Sequence, residues 1–161
     1  MGRSIEKMLE IRRSLETDLK KLLKIQKEAF AKDLLTYQDY QTSPVNEPLE
    51  RLLAKINQFL HYTILLEQEI IGGIDIRNLG DGRYRLNRIF LAGAHQNKGF
   101  GTHIMQLIEN EFPNAKTWNL DTPHLNIRNQ HFYEKLGYKK VGEHHVSDKL
   151  TLFDYIKEIE K

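Results

Sequence analysis

The chain has 161 residues, 40% of them apolar and 29% charged, the composition of a globular domain large enough to bury roughly 70% of the surface its unfolded form exposes. A formal net charge of +2 offers no concentrated basic face for nucleic acid. The lack of cysteine excludes a disulfide framework, a thiolate metal site and a cysteine nucleophile.

No apolar run has the length of a transmembrane helix or the placement of a signal peptide, so the expectation is a cytoplasmic protein with no membrane partner. Met1-Gly2 begins like a myristoylation signal, but Glu6 stands where that signal needs Ser or Thr. Residues 8–11 read as a short first strand, and Ser14 and Thr17 are helix start signals. Leu19, Leu22, Leu23, Ala29 and Phe30 then recur at helical spacing, with Lys20, Lys21, Lys24 and Lys27 opposite as a solvated face. The aromatic and polar stretch 36–44 is either a surface connection or a substrate wall. Its tyrosines, Tyr37 and Tyr40, would supply such a wall with contact area and a polar tip, beside Asp39.

Asn46-Glu47-Pro48 opens a second helix, whose Leu49, Leu52, Leu53, Ile56 and Leu60 form one apolar stripe. Three strand-like runs come next, residues 62–66, 70–76 and 83–91, with connections short enough for antiparallel hairpins. In the last run Tyr84 and Leu86 share one parity while Ile89 and Leu91 share the other. Either a β-bulge near Asn87-Arg88 absorbs an extra residue or the strand changes its buried face. A bulge would leave backbone groups beyond it open to a ligand.

Residues 89–102 pass from this strand through a glycine-punctuated turn into a helix. A helix start presents unpaired N–H groups at the positive end of the macrodipole, so the corner can bind an anion. Gly99 and Gly101 lack the Cβ atoms that would hold a pyrophosphate off the backbone, and Lys98 adds a charge. Neither common nucleotide fingerprint fits, because Ile104 stands where the dinucleotide motif needs a small residue and no Gly-Lys-Ser/Thr is present.

Ile104, Met105, Ile108 and Phe112 give the new helix an apolar face, and Pro113 stops it. Residues 117–122 alternate as a strand, expected parallel to the one before the turn. Asn126 or Asn129 then starts a short helix through Leu136, with Gly137 as its left-handed end. Residues 138–146 and 150–156 close the chain as a hairpin. His144 and His145 point to opposite strand faces, so no metal pair is expected.

With these elements in order, the chain resembles the GNAT superfamily of acetyl-CoA-dependent N-acetyltransferases. Gln96-Asn97-Lys98-Gly99-Phe100-Gly101 matches the family's Gln/Arg-x-x-Gly-x-Gly/Ala loop. The stretch from Asn126 to Tyr138, NIRNQHFYEKLGY, is close to its Asn-x-x-Ala-x-x-x-Tyr-Glu-Lys-Leu-Gly-Phe pattern. Asn129 replaces the usual small residue, and the proline often found before the Gln is missing. The implied fold is a single mixed α/β domain over residues 1–161: a mostly antiparallel sheet of about seven strands with a bulged central strand, flanked by about four helices.

The resemblance also implies a site. Backbone at Phe90 and Leu91 would pair with the pantetheine arm, while Gln96 and Asn97 lead into the pyrophosphate loop formed by Lys98, Gly99, Phe100, Gly101 and Thr102. Asn126 and Asn129 would also contact the cofactor, although Asn126 is equally good as a helix cap. The Leu91 N–H would polarise the acetyl carbonyl. Tyr133, at the family's Tyr position, would give a proton to the leaving thiolate, a phenol near pKa 10 being matched to a thiol near 8.5. The base is Asp121, His124, Asp75 or a water chain. Acetyl-CoA and an amine acceptor are the implied partners, with a homodimer compatible. A non-catalytic acyl-CoA sensor and a nucleotide- or nucleic-acid-binding domain are the rival readings.

Overall fold

The alternating and bulged runs of the sequence assemble into one seven-stranded sheet in a computed structural model that describes residues 8–96 and 98–159. The strands are β1 (Leu9–Arg13), β2 (Leu60–Leu66), β3 (Glu69–Gly80), β4 (Arg83–Leu91), β5 (Thr117–Pro123), β6 (Lys139–Ser147) and β7 (Leu150–Glu158). Their order is β1-β2-β3-β4-β5-β7-β6, and only β4 and β5 run parallel. The helices are α1 (Leu19–Tyr37), α2 (Leu49–Gln58), α3 (Phe100–Glu111) and α4 (Ile127–Lys135).

Each face of the sheet buries its own cluster. Leu22, Ile25, Leu52 and Ile56 from α1 and α2 pack with Phe90 on one side. Ile104, Met105 and Ile108 from α3 and Tyr133 from α4 pack on the other, against Ile74, Leu86, Trp118 and Leu120. The lysines of α1 are exposed, as expected. Three boundaries differ from the sequence reading: β1 runs on to Arg13, α1 continues through Thr36 and Tyr37, and Leu60 starts β2 instead of extending the α2 stripe. Tyr37 is helical because its ring is buried beside His124, at 5.9 Å between centroids.

The parity change in β4 is a bulge. Asp75 pairs with Arg88 and Ile76 with Leu86, which leaves Asn87 as the extra residue. Its side chain explains why: Asn87 Nδ2 donates to the buried Asp75 Oδ2 at 2.9 Å. Ile89 and Leu91 thereby stay on the same face as Tyr84 and Leu86, and Phe90 turns to the α1/α2 side.

β4 and β5 stay paired only from Arg83 to Arg85, opposite Thr117 to Asn119. Beyond that point β5 stays with β7 and the two strands part. Arg85 spans the split, donating to Asn119 Oδ1 at 3.1 Å and to Asp121 Oδ2 at 2.7 Å.

Candidate active site

The split exposes one edge of β4. Ala92 N–H donates to Ile71 O at 2.8 Å, so by strand alternation Phe90 also turns its backbone toward β3, and Ile89 and Leu91 turn theirs to the open side. The Phe90 backbone, expected on the open side, therefore faces β3, and Ile89 is the residue whose backbone faces the gap beside Leu91, although Phe90 still lines the larger cavity. Gln96 Nε2 already donates to Leu91 O at 2.9 Å, which holds the turn against the strand and leaves the Leu91 N–H facing the gap.

The turn ends at Gly99, the N-cap of α3, with φ of +81° and no side-chain cap. A Cβ there would meet nothing within 4 Å, so glycine is required by the left-handed backbone and not by space. No acidic residue stands in the first turn of α3, and the amides of Phe100, Gly101 and Thr102 remain open to an anion. Gly101 serves another purpose than the sequence reading gave it: its Cβ would lie 3.0 Å from the Phe132 ring, so it lets α3 and α4 approach. Asn97 lies outside the described residues.

Two cavities meet in the gap. The larger, about 930 Å³, runs from the α3 start past Leu91. The smaller, about 260 Å³, lies between the ends of α1 and β4 on one side and β5 and β7 on the other. Tyr133, Asn126, Asn129, Ile89 and Asp33 line both. Lys98 is exposed and lines neither. Asn126 Oδ1 accepts from the Asn129 N–H at 3.1 Å, so the cap role is filled, while the same residue still borders the cavities.

Tyr133 is 6% exposed, and its hydroxyl makes no hydrogen bond among the described residues. Desolvation, reinforced by Asp121, pushes its phenol up to about 12. The simple match to a thiol is thereby loosened, and the group is a neutral donor throughout the physiological range.

The candidate bases separate clearly. Asp75 is 1% exposed, accepts from Arg77 Nη1 at 2.7 Å and from Asn87, and lines neither cavity. His124 Nδ1 accepts from the Thr151 N–H at 3.1 Å and so ties β5 to β7. Asp121 does line the smaller cavity, but its Oδ2 carries the Arg85 ion pair at 2.7 Å. Asp121, His144 and Asp154 hold ligand-type atoms within 4.8 Å of one another, yet the atoms already answer Arg85 and each other, His144 Nδ1 lying 3.1 Å from Asp154 Oδ2. Of the early aromatic stretch, Tyr37 and Asp39 line the smaller cavity, while Tyr40 is 62% exposed and lines neither.

Asp33, at the junction, was not singled out by sequence reasoning. The signal existed: it continues the sheet-facing stripe of α1 one turn beyond Phe30, where helical spacing calls for an apolar residue.

A family model described as "Acetyltransferase (GNAT) family" matches residues 19–138. The chain belongs to the GNAT acetyltransferase family. Its acetyl donor is acetyl-CoA, and the fit of this acetyltransferase to that donor rests on the open α3 start and the free edge of β4. A Bacillus subtilis (strain 168) protein, "Uncharacterized protein YrkN", is 29% identical over 139 residues, covering 81% of this chain and 74% of that one. The PaiA N-acetyltransferase of Thermoplasma acidophilum, solved in complex with coenzyme A, superposes with a TM-score of 0.75 at 20% identity, over 94% of this chain and 99% of that one. The ribosomal-protein-S18-alanine N-acetyltransferase of Escherichia coli gives 0.75 at 14%, over 96% of each chain. Among the described residues, no helix is long and apolar enough to cross a membrane.

Proposed function

We propose that this acetyltransferase moves an acetyl group from acetyl-CoA to a primary amine by direct attack, with donor in the larger cavity and acceptor in the smaller. One observation carries the reading: the unbonded Tyr133 hydroxyl sits where the two cavities join, and the open side of Leu91 faces the larger of them. Direct attack is favoured because no cysteine is present to hold the acetyl group in between. The named amine substrate of the Escherichia coli neighbour supports nitrogen as the attacking atom.

Acetyl-CoA supplies a thioester carbonyl open to a nucleophile and a sulfur able to leave. The α3 start at Phe100, Gly101 and Thr102 would hold its pyrophosphate, with Gln96 fixing the loop, and Ile89 and Leu91 would pair with its extended arm in the manner of an added strand. The Leu91 N–H would meet negative charge developing on oxygen, a fixed donor needing no reorganisation. Tyr133 would donate to the departing sulfur, and that sulfur, leaving into the same desolvated junction, is itself a stronger base than in water. The role of base is not given to Asp121, because its carboxylate is taken up by the ion pair with Arg85. Cysteine-free composition is compatible with the reducing cytoplasm in which we place the enzyme.

The test is calorimetric titration with acetyl-CoA beside Gly99→Glu, together with a turnover screen of primary amines. Micromolar-range binding that falls at least tenfold in the variant is expected, along with release of free thiol on addition of at least one amine. Equal binding by both proteins would remove the pyrophosphate assignment. Binding without thiol release from any amine would leave an acyl-CoA sensor.

A further inference from the structure

α1 carries a carboxylate where its periodicity demands an apolar residue. Leu22, Gln26, Phe30, Asp33 and Tyr37 succeed one another at steps of three or four along the sheet-facing side. The other polar members of this stripe are satisfied from the protein. Gln26 Nε2 donates to Pro44 O at 3.0 Å and to Glu47 Oε1 at 3.2 Å, and Tyr37 has a backbone hydrogen bond from Leu125. Asp33 makes neither a hydrogen bond nor an ion pair among the described residues.

No cation among the described residues forms an ion pair with Asp33, although Lys32 and the exposed Arg128 also line the larger cavity. Lys32, next to it on α1, is exposed. Arg88, across the smaller cavity on β4, is engaged with Glu47 Oε2 at 3.1 Å. The remaining titratable groups lining the smaller cavity are Tyr37, Tyr133, Asp39, whose carboxylate accepts from Thr42, and Asp121, which Arg85 neutralises, while Glu28, His95 and Arg128 line the larger one. A partly desolvated carboxylate without a partner is costly to keep. Here it borders both cavities beside Tyr133, so the missing cation is one that a ligand brings.

We propose that Asp33 holds the ammonium group of the acceptor and takes its proton, which makes the substrate a slender cationic primary amine. This rests on the amine-acetylation reading above. One N–H bond of the ammonium breaks as an O–H bond forms on the Asp33 carboxyl, and the freed lone pair makes the new C–N bond as the C–S bond breaks. Of the two protons nitrogen loses, the first passes from Asp33 to water and the second ends on the departing sulfur. Burial raises the Asp33 carboxyl above the usual carboxylate range, against the pull of Lys32, which brings its proton affinity closer to that of an amine. The volume of about 260 Å³ is below the ~300 Å³ at which pockets begin to enclose drug-sized ligands, so it admits an aminoalkyl chain.

The experiment uses the full chain saturated with CoA, which carries no acetyl group, and probes it with butylamine, 1,4-diaminobutane and, as an uncharged control, butan-1-ol. The Asp33 carboxyl carbon is monitored by NMR across pH, assigned by its loss in Asp33→Asn, and binding is read by calorimetry. Either amine is expected to lower the Asp33 midpoint by at least one pH unit, butan-1-ol to leave it unmoved, and Asp33→Asn to weaken amine binding at least tenfold with acetyl-CoA affinity within twofold. A midpoint unmoved by both amines, or an Asp33→Asn protein that binds them as tightly as the parent, overturns the assignment. An unfolded variant would be exposed by loss of acetyl-CoA binding, and the midpoint of the parent protein then decides alone. Turnover is scored separately: a protein that acetylates amines with Asp33 silent refutes this inference only, whereas an Asp33 that responds without turnover refutes the enzyme reading only.

Discussion

Replacing Tyr133 with Phe separates chemistry from stability, because the hydroxyl has no protein partner among the described residues to abandon. The ring keeps its edge contacts with Phe132 and Tyr138, at centroid distances of 5.2 and 5.6 Å, and no buried group is orphaned, so the change in stability at neutral pH should stay within about 1 kcal/mol. The catalytic cost comes from the pKa of about 12. Complete transfer from such a phenol to a thiolate of ordinary pKa near 8.5 would be uphill by about 5 kcal/mol at 1.36 kcal/mol per unit, an upper bound because desolvation strengthens the sulfur as a base. In the proposed role the hydroxyl would therefore serve chiefly as a hydrogen-bond donor to developing charge, at the lower end of the general-acid range, and kcat should fall by about 10²-fold. Affinity for acetyl-CoA should stay within twofold.

The same substitution has a signature in alkali. A phenol raised from about 10 unfolded to about 12 folded stays protonated in the native state while the unfolded chain ionises. Its contribution to stability is complete below pH 10 and is lost as pH rises toward 12, about 2 to 3 kcal/mol in all. Urea unfolding at pH 9 and 11 should show a smaller alkaline loss in Tyr133→Phe than in the parent. Unchanged kcat, or identical alkaline slopes, would refute this reasoning.

Gly101→Ala places a methyl 3.0 Å from Phe132 and should cost about 1 kcal/mol or more; thermal melts should recover part of the loss when Phe132→Leu is added, and additive losses would deny the contact. His61 is 1% exposed and its imidazole is lowered by burial to about 4. Between pH 6.5 and 4 the unfolded chain takes up a proton that the native state refuses, so stability should fall by roughly 3 kcal/mol across that interval, and His61→Gln should flatten the urea midpoint against pH. Arg85→Leu leaves Asp121 without its cation at the strand split and should destabilise by about 1 to 3 kcal/mol, with a matching drop in the chemical-denaturation midpoint; an unchanged midpoint would mean solvent supplies the partner.

Local rules made much of this molecule legible. The parity of Tyr84, Leu86, Ile89 and Leu91 marks the bulge because strand alternation leaves one residue over, and Gly99 and Gly137 mark left-handed positions, at φ of +81° and +100°. The features hidden from a sequence reading are those set by distant partners. Lys55, paired locally with Glu47 at 2.5 Å, comes within 3.9 Å of the buried Asp75 only because α2 packs on the sheet, and Arg88 reaches Glu47 across 41 positions. The place of β7 between β5 and β6 is likewise a matter of which edge the final hairpin meets. Asp33 was obscured for a simpler reason: the apolar spacing that marks the buried face of α1 was read only as far as Phe30, and a carboxylate beyond it is assigned no face by hydropathy.

On the proposed reading, the donor side of the gap is made of main chain, namely the Ile89–Leu91 edge and the first amides of α3, while the acceptor side is made of side chains from α1, β5 and β7. Main-chain donors survive almost any residue replacement that preserves the bulge and the left-handed turn, whereas each replacement on the acceptor wall alters shape or charge directly. Drift in sequence can therefore rewrite the amine recognised while leaving the thioester site untouched.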